Sequence, residues 1–143
     1  MLFKELIGEV KTNFDEYDIK GITCDSRKVK EGYVYVCIKG AINDGHDFAL
    51  SAEKNGAAVI IAERKTGCKR EVIVKDTHAA FATMSAKWFG SPADKLRLIG
   101  VTGTNGKTSV TYMLKKVFEA AGEKVGLIGT IQNMIGDEII ETE

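Results

Sequence analysis

The chain has 143 residues, 44% hydrophobic and 28% charged, proportions typical of a globular protein with a core. Basic and acidic residues number 20 each, so no overall charge favours nucleic acid or membrane surfaces. No apolar run approaches the roughly 20 residues that cross a bilayer, and charges interrupt the N-terminus, unlike in a signal peptide. Cys24, Cys37 and Cys68 form no CxxC pair, which favours reduced thiols in the cytoplasm over a structural zinc site.

The first two thirds of the chain alternate helical and strand patterns. Apolar periodicity and capping residues predict helices over Leu2–Val10, from His46 to Gly56, and over Ala79–Phe89 behind a cap at Asp76 or Thr77. Short β-branched or apolar runs predict strands at Ile19–Cys24, Tyr33–Ile38, Ala57–Ala62 and Val72–Val74. This order predicts a mixed α/β domain.

Gly90–Asp94 contains the only proline and resembles a linker, which predicts a domain boundary between residues 92 and 93. The apolar run Leu98–Val101 then predicts a buried parallel strand, and a strand at Val125–Ile131 and a hairpin beyond Gly136 follow. Between them, apolar residues at helical spacing predict one face of a helix: Val110, Met113, Leu114, Val117, Phe118 and Ala121.

The glycine-rich turn before this helix ends in Gly106, Lys107, Thr108 and Ser109. A strand, a glycine turn and a helix start in that order predict a phosphate-binding loop, because backbone N–H groups and the positive helix end face one concavity. Lys107 would reach the terminal phosphates, and the Thr108 hydroxyl would hold Mg²⁺. The spacing departs from the strict Walker pattern at Val101, where that pattern has glycine. The alternative is a glycine turn that only links strand to helix.

The segment after the linker contains one helix, which can cover only one face of its sheet. It also has no aspartate after an apolar strand to serve as a second magnesium ligand. We therefore expect the chain to be a piece of a larger nucleotide-binding enzyme, cut inside its ATP domain. Its apolar patch would be covered by the first domain or by a second copy, which predicts self-association.

The turn TGTNGKTS at Thr102–Ser109 resembles the ATP loop of the Mur ligases, ATP-dependent amide-forming enzymes of peptidoglycan synthesis, which share the departure at Val101. Upstream, Asp25–Val29 and Lys39–Phe48 resemble the uridine-nucleotide domain of that family. Downstream, Gly122–Ile131 is most similar to the member that adds the third residue of the stem peptide. The two motifs stand in the family's order.

The resemblance implies a fold class of α/β type. A mixed α/β uridine-nucleotide-binding domain at 1–92 would precede the first strand–P-loop–helix–strand unit of an ATPase-type domain at 93–143. It implies that the residues that bind the UDP-linked substrate are Cys24, Ser26, Ala41, Ile42 and Asn43. It implies that the ATP-binding residues are Gly103, Thr104, Asn105, Gly106, Lys107, Thr108 and Ser109, with Lys107 catalytic and Thr108 the Mg²⁺ ligand.

The chemistry that the resemblance implies is amide formation driven by ATP. ATP would phosphorylate the D-glutamate side-chain carboxylate of UDP-N-acetylmuramoyl-L-alanyl-D-glutamate, and the amine of a diamino acid would attack the acyl phosphate. Lys107 would offset the charge that develops as the γ-phosphoryl group moves. The piece alone is expected to be inactive, with no nucleic acid or membrane partner. Whether the diamino acid is lysine or diaminopimelate is left open.

Two other functions are compatible with parts of the pattern. A P-loop phosphotransferase such as a small-molecule kinase would need no amine, but it would begin its nucleotide fold close to the N-terminus. A non-catalytic module could bind a uridine nucleotide alone. Taken singly, Asp25–Arg27 and Asn43–Gly45 are also ordinary turn sequences, and His46 is an ordinary helix-entry residue.

Overall fold

The computed structural model describes residues 1–8, 10 and 12–141, and its contacts divide the chain into two compact units, Met1–Leu96 and Arg97–Glu143. This division falls four residues after the linker position that the sequence suggests. Glu9, within the first predicted helix, and Thr142 and Glu143, at the end of the predicted hairpin segment, lie outside the described residues.

The first unit is built on a sheet of four parallel strands in the order β1-β2-β3-β4. The strands are β1 (Gly21–Thr23), β2 (Tyr33–Val36), β3 (Val59–Ala62) and β4 (Glu71–Ile73). Ile22 pairs with Val34, and Tyr35 pairs with Ile60. All four predicted strands are present; the first three are shorter than their apolar runs, and β4 keeps the predicted length but begins one residue earlier.

Three α-helices surround this sheet: α1 (Phe3–Ile7), α2 (Ala49–Lys54) and α3 (Thr77–Trp88). Single 3₁₀ turns occur at Ser26–Lys28, Gly45–Phe48 and Pro92–Lys95. Helix α1 ends well before Val10 because Gly8 adopts a positive φ of 79°. The predicted cap of α3 is confirmed, since the Asp76 carboxylate accepts a hydrogen bond of 2.9 Å from the Ala79 N–H.

Side chains of neighbouring positions on each strand point to opposite faces of the sheet. Val34, Val36, Val59 and Ile61 lie in one core with Phe3, Leu6 and Met84 of helices α1 and α3. The second core contains Tyr35, Cys37, Ile60 and Ala62 with Ala49 and Ala52 of α2. Both faces of the parallel sheet are therefore covered, and the loops that follow β1, β2 and β3 leave from one exposed edge.

The second unit contains α4 (Lys107–Ala120) and an antiparallel sheet of β5 (Gly126–Leu127), β6 (Asn133–Ile135) and β7 (Glu138–Ile140). The predicted helix and hairpin are confirmed. The predicted buried strand at Leu98–Val101 is wrong, since that segment is not a strand and Leu98 is 70% exposed. A buried parallel strand at Leu98–Val101 would need a neighbouring strand to pair with, but β5 pairs with β6 instead. Only Gly126–Leu127 of the predicted strand Val125–Ile131 is a strand.

Helix α4 has its apolar stripe largely at the surface, with Val110, Met113 and Val117 exposed. Lys115 on the same helix is only 3% exposed. Its ammonium pairs with the Glu119 carboxylate and lies 3.8 Å from that of Asp137. Among the described residues, no helix is both long and apolar enough to cross a membrane.

Candidate functional site

The turn that follows β1 is organised by Asp25. Its carboxylate accepts a hydrogen bond of 3.0 Å from the Arg27 N–H, and the Arg27 guanidinium donates to both carboxylate oxygens, at 3.0 and 2.8 Å. The Arg27 side chain, and then the Arg27 N–H, lower the pKa of Asp25 from 3.8 to about 2. The Arg27 guanidinium and the Asp25 carboxylate neutralise each other, and Ser26 lies between these two residues in the turn. Within the described part of the chain, the Ser26 hydroxyl makes no hydrogen bond.

The loop that follows β2 is a tight turn. The Gly40 N–H donates to the Asn43 carbonyl at 2.9 Å, and Lys39 and Asp44 form a single antiparallel bridge below it. Ala41, Ile42 and Asn43 form the exposed tip, where Ile42 is 94% exposed.

Gly45 closes this loop and must be glycine. A Cβ atom there would lie 2.7 Å from both the backbone N and O atoms of Ile38. The Gly45 N–H itself donates to the Ile38 carbonyl at 2.9 Å. Glycine is therefore needed at position 45 for the close approach of its backbone to that of Ile38, as well as for the turn.

The structure brings both groups of residues predicted to bind the UDP-linked substrate to the same edge of the sheet. Cys24 and Ser26 follow β1, the tip Ala41–Asn43 follows β2, and these two strands are parallel neighbours. Ligands of parallel α/β sheets bind beyond the carboxyl ends of the strands, so this edge is the candidate substrate site of the first unit.

A hydrogen-bond network under this edge escaped the sequence analysis. One carboxylate oxygen of Asp44 accepts from the backbone N–H of His46 at 3.0 Å and from its ring Nδ1 at 2.6 Å. The other oxygen accepts from the Arg64 guanidinium at 3.0 Å. The His46 bonds, and then Arg64, hold the pKa of Asp44 well below its ordinary value. Arg64 follows the end of β3 by two residues and so lies at the same edge of the sheet. Its position just after a predicted strand could have indicated this.

His46 is a structural residue in this network. It is 6% exposed, and its ring Nε2 accepts a hydrogen bond of 3.0 Å from the Glu63 N–H. Since Nε2 accepts, the ring proton lies on Nδ1, where Asp44 accepts it. Among the described residues, no group of three or more His, Cys, Asp and Glu side chains could hold a metal ion.

The predicted phosphate loop lies at the start of α4 in the second unit. Gly106 precedes the helix with a φ of +76°, a conformation that favours glycine. The Lys107 ammonium bends back and donates to the Gly103 carbonyl at 2.5 Å. The helical bonds begin with the Val110 N–H, which donates to the Gly106 carbonyl at 3.0 Å, so earlier N–H groups of the first turn have no helical partner. The loop is exposed, and its geometry suits an anion.

A cleft of about 170 Å³ borders the same helix end. Its walls are Lys107, Thr108, Thr111 and Tyr112 on one side and the segment Leu127–Gln132 on the other. The segment after β5, which the sequence analysis assigned to a strand, thus forms a wall of this cleft. Thr108, the predicted Mg²⁺ ligand, is half-buried at its rim.

Family models match both units. The Mur ligase family catalytic domain matches residues 18–88, and the Mur ligase middle domain matches residues 101–143. The two matches together cover most of the chain.

Individual relatives are similar to nearly the whole chain. It is 46% identical over 144 residues to a UDP-N-acetylmuramoyl-L-alanyl-D-glutamate–2,6-diaminopimelate ligase of Caldanaerobacter subterraneus subsp. tengcongensis, covering 99% of this chain and 30% of that protein. A ligase of the same name from Bacillus velezensis is 48% identical over 130 residues, with 90% and 26% covered. The chain therefore spans less than a third of the length of these relatives.

Solved structures show the same relationship. A structure of a ligase of that name covers 97% of this chain and 29% of its own, with a TM-score of 0.79 and 24% identity, which shows the fold. The MurF ligase of Thermotoga maritima in complex with ADP has a TM-score of 0.51 and 35% identity, with 69% of this chain and 23% of that one covered. The two family matches, the relatives and the shared fold agree, and the chain belongs to the Mur ligase family.

Proposed function

We propose that this chain supplies the UDP-substrate site and the ATP loop of an ATP-dependent ligase that adds 2,6-diaminopimelate to UDP-N-acetylmuramoyl-L-alanyl-D-glutamate in the cytoplasm. The observation that carries the proposal is that Ser26 and the tip Ala41–Asn43 follow the carboxyl ends of two neighbouring parallel strands, in a chain 46% identical to a ligase of that name. The names of the relatives favour diaminopimelate over lysine as the added residue.

In the first unit, the Ser26 hydroxyl would donate to the diphosphate or uridine of the substrate. The turn beside Cys24 and the tip residues Ala41, Ile42 and Asn43 would line the base pocket with backbone groups and one amide. Because Asp25 already holds the Arg27 guanidinium at two oxygens, Arg27 is not the group that meets the diphosphate charge. Recognition by a hydroxyl and backbone groups fits this neutralised turn.

In the second unit, the loop Gly103–Ser109 would hold the ATP triphosphate on its unpartnered N–H groups. Lys107 would exchange the Gly103 carbonyl for a phosphate oxygen and offset charge in the transition state. The Thr108 hydroxyl fits Mg²⁺, a hard cation that takes few protein oxygens and completes its shell with phosphates and water. Bound there, Mg²⁺ would supply charge neutralisation at the β- and γ-phosphates. The ADP in the MurF ligase structure supports a nucleotide site in this family.

Calorimetric titration tests the proposal with three ligands: UDP-N-acetylmuramoyl-L-alanyl-D-glutamate, UDP and ATP with Mg²⁺. We expect the muramoyl dipeptide ligand to bind, ATP to bind more weakly, and Ser26→Ala to weaken only the first. Tight ATP binding without binding of the uridine ligands would favour a phosphotransferase. Equal affinity for UDP and the muramoyl dipeptide would favour a uridine-nucleotide module. Binding of none of the three ligands would overturn the proposal.

The exposed apolar residues of the second unit also motivate the proposal that the chain self-associates. Met113 and Val117 of α4 and Ile128 after β5 are all more than half exposed, which is unusual for a monomer surface. Light scattering over a range of concentrations should show a mass above that of one chain, and Met113→Lys should restore the monomer. A concentration-independent monomer would contradict it.

A further inference from the structure

Arg64 occupies the sheet edge close to the candidate UDP loop. Its guanidinium donates to Asp44 at 3.0 Å, and the same nitrogen lies 4.0 Å from the Asp47 carboxylate. Asp44 lies at the base of the turn, where its backbone forms an antiparallel β-bridge with that of Lys39. The Arg64 side chain is half-exposed, whereas only a fifth of the Asp44 side chain is exposed.

Hydrogen bonds fix the Asp44 carboxylate on two sides, and both sets of bonds connect it to the residues that directly follow β3. Arg64 binds one carboxylate oxygen, while His46 binds the other and is itself fixed by the Glu63 N–H at 3.0 Å. Above Asp44, the described structure gives the tip one internal backbone bond, from Gly40 to Asn43. The position of the tip is therefore set by its base.

We propose that Arg64 is a positioning residue for the UDP-linked substrate, one that acts through Asp44 by holding the tip Ala41–Asn43 in its binding conformation. This inference rests on the proposed function of the first unit. A loop ordered before binding loses less conformational entropy when the ligand arrives, so loss of the Arg64 bond should weaken affinity without removing a ligand contact.

The test is a double-mutant cycle of Arg64→Gln and Asp44→Asn, read as the Kd for UDP-N-acetylmuramoyl-L-alanyl-D-glutamate. The Asp44→Asn variant would keep a side-chain oxygen for His46 and lose the charge that faces Arg64. We expect Arg64→Gln alone to raise Kd about three- to fivefold, as for a half-exposed ion pair, and to add nothing in the Asp44→Asn background. Arg64→Lys should restore affinity, and the exposed neighbour Lys65→Gln is the matched control.

Hydrogen exchange provides a measurement independent of the ligand. Arg64→Gln should speed exchange of the Gly40 N–H relative to the wild type, while N–H groups of β2 keep their rates. Unchanged exchange, or an Arg64→Gln effect on Kd that persists in the Asp44→Asn background, would overturn the positioning role. The persistent effect would instead indicate direct contact with the ligand. If the wild type binds no uridine ligand, the proposed function fails, and this inference with it. If Ser26→Ala weakens binding and Arg64→Gln does not, only the inference fails.

Discussion

The imidazole Nε2 of His46 accepts a hydrogen bond of 3.0 Å from the backbone N–H of Glu63. This bond joins the start of the 3₁₀ turn before α2 to the end of β3. The Glu63 carboxylate continues the connection, since it accepts from the N–H and hydroxyl of Thr77 at 2.9 and 3.0 Å. A chain of polar contacts, with His46 and Thr77 buried and Glu63 exposed, thus ties the candidate substrate loop to the N-terminus of α3.

Replacing His46 should destabilise the first unit. His46→Ala leaves the Glu63 N–H without its acceptor and the Asp44 carboxylate without the ring donor, so we expect a loss of about 1–3 kcal/mol in the free energy of unfolding. Urea denaturation followed by fluorescence of Trp88, the only tryptophan, measures it. His78→Ala, at an exposed position of α3, is the control and should change stability by less than about 0.5 kcal/mol. Equal stability of both variants would mean that the network contributes little.

Arg27→Gln should raise the pKa of Asp25. Because the Arg27 side chain is the largest cause of the shift from 3.8 to about 2, its loss should return the titration midpoint toward 3.8. The carboxyl ¹³C chemical shift of Asp25, followed by NMR as the solution is acidified through this range, reports the midpoint directly. A midpoint that stays near 2 in the variant would show that backbone bonds alone set it.

The sign of the linked stability follows from the lowered pKa. The folded state holds Asp25 ionised more strongly than the unfolded state does, so its stabilising contribution is complete above pH 3.8 and is lost as the pH falls toward 2. In Arg27→Gln this acid-dependent part should shrink, and the unfolding midpoint should depend less on pH within that window.

Lys107→Ala should disable the nucleotide loop. Its ammonium is the side-chain charge at the helix end, so we expect turnover of the complete ligase to fall by about two orders of magnitude or more. A steady-state assay of phosphate release measures this effect. Lys116→Ala, an exposed lysine of the same helix, should retain the wild-type rate. Rates like the wild type in Lys107→Ala would remove Lys107 from the catalytic role.

Lys115→Ala should loosen the β6–β7 hairpin from α4. Lys115 is buried and pairs with Glu119, and it lies 3.8 Å from Asp137 in the hairpin turn. Exchange of the Gly136 N–H, which donates to the Val125 carbonyl at 2.8 Å, should become faster. The same amide should keep its rate in Lys116→Ala, and an unchanged rate in both variants would contradict the role of Lys115.

Local patterns were sufficient to predict the elements of the first unit. The signals are short-range: β-branched strand runs, the Asp76 cap and apolar helix faces. The tertiary structure agrees with each of them. Leu98–Val101 failed because an apolar run shows only that a segment can be a strand, and a strand needs a neighbour to pair with. The Asp44–His46–Arg64 network was missed because Arg64 is 20 residues away from Asp44 in the sequence, and only the parallel order of β2 and β3 brings them together.

The central claim is that the sheet edge of the first unit binds the UDP-linked substrate, and residue-resolved NMR titration tests it most directly. Addition of UDP-N-acetylmuramoyl-L-alanyl-D-glutamate should shift the amide signals of Cys24, Ser26, Ala41, Ile42 and Asn43. Those of Gly103–Ser109 should move only with ATP and Mg²⁺. Shifts from the uridine ligand that spare residues 24–26 and 41–43, or no shifts at all, would contradict the account.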